Sequence, residues 1–133
     1  MRAIKLTLAE VKAKGREAFI KGRLSCQAPN PIDRLCQYRT DADAGYRPCV
    51  IGAALSDERG NYLEDSAGGG SFCDMIERGH FIVDPAERPA LEELQDTHDI
   101  ACHENCNPTD YLKLAKLLDV PPELIPPRVE RQP

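Results

Sequence analysis

The stretch that most constrains the fold is residues 36–55, CQYRTDADAGYRPCVIGAAL. Leu35, Gln37 and Arg39 alternate with Cys36, Tyr38 and Thr40. That two-residue period predicts a half-buried strand with Cys36 and Tyr38 on its inner face. Asp41, Asp43 and Gly45 carry turn chemistry, and Pro48 ends the turn. Residues 49–55 are apolar throughout, which reads as a buried segment of either strand or helix. Gly52, in its middle, lets another backbone approach closely.

Helix signals surround this stretch. Thr7 and Glu10 have capping-box spacing, with Leu6 and Val11 as the accompanying apolar pair. Leu8, Val11, Ala18 and Phe19 form the buried stripe, and Gly22 is the stop. Ser71 and Asp74 predict a second capped start, ending at Gly79. Pro89 suits a first helical turn. After it, Leu91, Leu94, His98, Ala101 and Cys102 share one face. Asn107 and Pro108 open a last helix with Tyr111, Leu114, Ala115 and Leu118 inward. Residues 3–6 read as a short strand and 80–83 as an extended connection. Residues 59–71 read as a polar, glycine-rich loop.

The expected fold is therefore α+β: a single small domain over residues 1–125, with three to four helices packed on a short antiparallel sheet or hairpin built around residues 36–40. Residues 126–133 read as a disordered, proline-rich tail. The 133-residue length suits one core. Trp is absent and aromatics are only 5%, so that core rests on aliphatic residues.

The order Cys-x-Tyr-Arg, polar turn, Cys-Val-Ile-Gly-Ala-Ala-Leu, followed by Leu94-Gln95-Asp96-Thr97-His98-Asp99, resembles a family of small uncharacterised proteins of tailed phages and prophages. Its members carry an N-terminal helix, a Cys-x-Tyr-Arg strand, a Cys-Ala-x-Gly-x-Leu-Ile run and a helix with Leu-Gln-x-x-His-Asp. The resemblance covers residues 36–99. The chain departs from the pattern at Pro48, in its glycine run and in its extra cysteines. The resemblance implies a phage-like setting and a compact α+β fold, and carries over no catalytic residue.

The formal charge of −5 disfavours a general nucleic-acid binder. No apolar segment is long enough to span a membrane, and none follows Arg2 and Lys5 as a signal peptide would. The expected location is the cytoplasm, where the six cysteines stay reduced. His98, Cys102 and Cys106 are spaced i, i+4, i+8. On one helix face they offer the nitrogen and sulfur ligands that zinc takes, with a fourth from Cys26, Cys36, Cys49 or Cys73. The alternative is that His98 and Cys102 are ordinary core residues. Cys49 can be read as a nucleophile at a helix start, with His98 as base, or as a packed residue. Asp99 is expected not to orient His98, since adjacent helical side chains diverge. The glycine run before Ser71 lacks the Lys of a phosphate-binding loop.

The leading expectation is a non-enzymatic phage-type accessory protein, without cofactor, that binds a protein partner. Its contacts are expected on loops 41–47 and 61–70, through Asp41, Asp43, Tyr46, Arg47 and Tyr62. The alternative is a zinc-binding protein or cysteine-dependent enzyme using Cys49 and the region 98–106.

Overall fold

The computed structural model describes residues 2–27, 37–40, 45–102 and 108–128. Helix α1 spans Leu8–Ile20, α2 Asp57–Asp65, α3 Phe72–Glu77, α4 Arg88–Cys102 and α5 Pro108–Leu117. Strand β1 is Ile4–Leu6 and β2 is Phe81–Val83. Short 3-10 turns occupy Ser25–Gln27, Gly52–Ala54 and Pro122–Leu124.

The fold is α+β, but the sheet is not the expected one. β1 and β2 pair in parallel, with Ile4 opposite Phe81 and Leu6 opposite Val83. A tight hairpin can join only antiparallel strands; a parallel pair needs a long crossover, and here most of the chain supplies it. Residues 37–40 form no strand. Tyr38 does point inward, with its ring buried. Its N–H, however, is taken by the Glu64 carboxylate at 2.8 Å. The neighbouring Gln37 carbonyl accepts from Cys49 N at 2.7 Å. With these groups satisfied by a side chain and a single backbone bond, no ladder forms.

The caps explain the helix starts. Thr7 Oγ1 accepts from Glu10 N at 3.2 Å, Ser56 Oγ from Arg59 N at 3.3 Å and Ser71 Oγ from Asp74 N at 3.1 Å. Helix α2 takes the first part of the stretch expected as a loop over 59–71, while residues 66–71 stay outside any helix, and it brings the α-helices among the described residues to five. It is mostly polar and buries little more than Gly60 and Leu63. Gly60 is nonetheless required: a Cβ there would collide with the Tyr38 carbonyl. Gly52 meets the same segment from another side, where a Cβ would lie 2.9 Å from Tyr38 Cα. Gly52 thus has the close backbone approach its sequence context predicted.

The core joins α1, α4 and α5 with the 49–55 segment. That segment is a turn and one 3-10 helix rather than strand or α-helix. Val11, Phe19, Val50, Ile51, Leu91, Leu114 and Leu118 are fully buried. Phe19 packs on Tyr111 with ring centres 5.0 Å apart, and Phe81 lies between Tyr38 and Phe72. Helix α4 lies along α5 and against the Ser25–Gln27 turn. The Tyr111 hydroxyl donates to the Pro126 carbonyl at 2.8 Å. Among the described residues, no helix is long and apolar enough to cross a membrane.

Candidate functional site

The i, i+4 spacing on α4 sets His98 and Cys102 one above the other, as helical geometry requires. His98 is completely buried. A buried imidazole needs partners at both nitrogens, and it has them. Nδ1 lies 3.2 Å from Asp99 Oδ1. Nε2 lies 3.2 Å from the hydroxyl of Ser25, which comes from the 3-10 turn. The contact with Asp99 corrects the expectation that adjacent residues diverge too far to meet. Gln95, one turn earlier, donates to Asp99 Oδ1 at 2.9 Å and accepts from Ile51 N at 3.2 Å, so it holds the carboxylate toward the ring.

Cys102 Sγ lies 3.8 Å from each imidazole nitrogen and 3.7 Å from Ser25 Oγ. Equal distances to the two nitrogens mean that the sulfur is aligned with neither N–H. Its route to the ring runs through the Ser25 hydroxyl. The Cys26 thiol, from the same turn as Ser25, acts electrostatically on the same sulfur.

With His98 doubly protonated, Nδ1 would donate to Asp99 and Nε2 to Ser25, leaving the Ser25 hydroxyl free to donate to a Cys102 thiolate. Electrostatics agree. Burial acts most strongly on His98 and disfavours its charged form, but Asp99 and then Cys102 together outweigh it and raise its pKa to about 10. Cys26 does most to hold the Cys102 thiol down. Burial opposes it, and His98 and Ser25 add to it, leaving a pKa of about 5. Burial pushes Cys26 well up, and Cys102 adds to that.

The cluster reaches the surface at Asp99, whose side chain is 43% exposed. Asp99 and Gln95 line a small groove of about 110 Å³ with Ser71, Cys73 and Glu92. Cys49 is fully buried, and its sulfur accepts the Gly52 N–H at 3.3 Å. It precedes a 3-10 turn rather than a helix start. Cys26, Cys49, Cys73 and Cys102 are all free thiols.

Of the expected metal ligands, His98 and Cys102 are brought together, and Cys106 lies outside the described residues. Both nitrogens of His98 are already engaged. Among the described residues, no group of three His, Cys, Asp or Glu side chains is placed to hold a metal ion.

The expected contact residues are scattered. Asp41 and Asp43 lie outside the described residues. Tyr46 is exposed and lies under the Arg39 guanidinium, 4.6 Å from its ring centre. Arg47 donates to the Gly22 carbonyl at 2.7 Å and so ties its segment to the end of α1. Tyr62 is half-buried on α2 with its ring edge-on to His80. The 61–70 stretch is helix up to Asp65. Its glycines are then anchored by Tyr38 Oη donating to Gly70 O at 2.9 Å and Arg78 Nη1 to Gly69 O at 3.0 Å.

A groove that sequence reasoning missed lies between α1 and residues Thr40, Pro48, Ala53 and Asp57. It measures about 240 Å³ and is lined by Lys14, Glu17, Lys21, Arg23, Thr40 and Asp57, with Ala18, Pro48 and Ala53 as its apolar floor. The expected contact loop 41–47 runs in sequence between two of these residues, Thr40 and Pro48. Lys21 pairs with Glu17 at 3.0 Å, and this bond, with Lys14 and Arg23 nearby, holds the Glu17 carboxyl below the usual range. Asp57 accepts from the Thr40 hydroxyl in the first turn of α2, where the helix start favours negative charge. Among the described residues, Lys14 and Arg23 join no ion pair. The run of basic residues from Lys5 to Arg23, which reads in the sequence as a solvated helix face, is the signal that could have found it.

Compared with known proteins, the chain matches no family model, no curated protein and no solved structure.

Proposed function

We propose that the chain is a non-enzymatic phage-type accessory protein, acting in the host cytoplasm, that binds an acidic segment of a protein partner in the groove beside α1. The observation that carries this is the gathering of Lys14, Lys21 and Arg23 around one concavity of a chain whose net charge is −5. Its three basic side chains outnumber its two carboxylates, Glu17 and Asp57, and Lys21 already pairs with Glu17, so the groove is formally positive where the whole molecule is negative. Such a contrast steers an acidic segment to one place and repels it elsewhere.

Size points the same way. Small-molecule pockets usually exceed about 300 Å³, and this groove is smaller and open. It takes one or two side chains of a peptide over its Ala18, Pro48 and Ala53 floor. The nucleophile and base expected from the sequence, Cys49 and His98, are both fully buried, which supports a non-enzymatic reading. The resemblance to phage proteins supplies the setting.

Fluorescence anisotropy with a labelled Asp/Glu-rich peptide tests the reading. Binding is expected at low salt and weakens as salt rises. The double variant Lys14→Glu/Arg23→Glu is expected to weaken it by at least about tenfold, or ~1.4 kcal/mol. Equal binding by the variant, or none by the native chain, contradicts the proposal.

A further inference from the structure

We infer that Cys102 is a peroxide-reactive thiol and that Cys26 resolves its oxidised form into a disulfide linking the Ser25–Gln27 turn to the end of α4. This is a stoichiometric modification, separate from the groove.

The geometry carries it. Two polar groups converge on one sulfur, the Ser25 hydroxyl at 3.7 Å and the His98 ring at 3.8 Å, and Cys26 follows Ser25 in the same turn, which packs against α4. A sulfur that is only packed needs neither group. Ser25, His98 and Gln95 are all buried, and each spends hydrogen bonds on this chain. Cys102 is the half-buried member and Cys26 the fully buried one. A peroxide therefore meets Cys102 first, and the second thiol lies in the buried turn packed against α4.

The step balances. The Cys102 thiolate attacks one oxygen of hydrogen peroxide and the O–O bond breaks. The departing hydroxide takes the His98 proton through Ser25 and leaves as water, giving a sulfenic acid on Cys102. The Cys26 sulfur then attacks the Cys102 sulfur and the S–O bond breaks. The hydroxyl leaves with the Cys26 proton as a second water. Two thiol sulfurs are oxidised by two electrons in total, and one peroxide is reduced.

Cys73 is the internal control. It is exposed, but its sulfur faces the Glu92 carboxylate at 3.3 Å and no imidazole. The test treats the reduced full chain with one equivalent of hydrogen peroxide, blocks remaining thiols under native conditions and maps the peptides. The expected product has lost two hydrogens and contains a Cys26–Cys102 linked peptide, with Cys73 blocked as a free thiol. In Cys26→Ser, oxidation is expected to stop at a sulfenic acid on Cys102, captured by dimedone. Native-chain mapping stands alone if that variant does not fold. Oxidation of Cys73 with Cys102 left reduced overturns the inference, as does a disulfide joining Cys102 to Cys106.

Discussion

Ser25 is the residue on which the buried polar chain turns, because its hydroxyl bridges the His98 ring and the Cys102 sulfur. Ser25→Ala removes the hydroxyl partner of the buried His98 Nε2. A buried polar group left without a partner costs about 1–3 kcal/mol, and a urea titration is expected to show a loss of that size. The chain also shapes the pH dependence. His98 rises from an ordinary value of 6.5 to about 10, so its contribution is complete below 6.5 and is lost as pH rises through about 10. Cys102 falls from 9.0 to about 5, so its contribution is complete above 9 and is lost as pH falls through about 5. Between 6.5 and 9, folded and unfolded chains hold the same number of protons on this pair, and its contribution is flat. Urea midpoints measured from pH 5 to 6.5 are expected to fall with falling pH in the native chain and to fall less in Cys102→Ser. Equal slopes would show that Cys102 is not ionised in the fold. The i, i+4 pair of His98 and Cys102 was legible in the sequence, because helical spacing alone places it. Ser25 was not: it arrives from a short turn with no periodic signal, joined to α4 only by tertiary packing.

At the scale of elements, α2 is held by what packs across it rather than by its own sequence. Ala normally exceeds Gly in helices by up to ~1 kcal/mol, so an isolated helix would gain from Gly60→Ala. Here the added methyl meets the Tyr38 carbonyl, and forced overpacking costs roughly 1–3 kcal/mol. The variant is therefore expected to unfold at lower urea than the native chain. A stabilised variant would mean that the contact between α2 and residues 37–40 is looser than described. The other four α-helices were readable from their caps, prolines and apolar faces; Tyr111, Leu114, Ala115 and Leu118 are all buried as their spacing predicts. Helix α2 escaped that reading because it has almost no apolar face, and its one clear signal, the Ser56 cap, looks the same as the exit of a turn. The strand expected over 36–40 failed for a related reason. Alternation reports which side chains point inward, and Tyr38 does, but it does not report where the backbone hydrogen bonds go.

For the molecule as a whole, the parallel pairing of β1 with β2 fixes the N-terminal strand beside the residues that follow α3. Local pattern gave both short extended segments. It could not give their pairing, which is set by the packing of everything between them. The same long-range closure brings α1 against the 49–55 segment and so creates the basic groove from residues far apart in the sequence. Exposed apolar side chains elsewhere, at Ile82, Ile100, Leu112 and Leu124, offer a partner a different kind of surface. The most direct test of the central claim is a nitrogen-15 NMR titration with the acidic peptide, following every backbone amide. The account predicts shifts confined to α1 around Lys14, Ala18, Lys21 and Arg23, together with Thr40 and Ala53. Shifts centred on Ile100 and Leu112, with the groove unmoved, would contradict it.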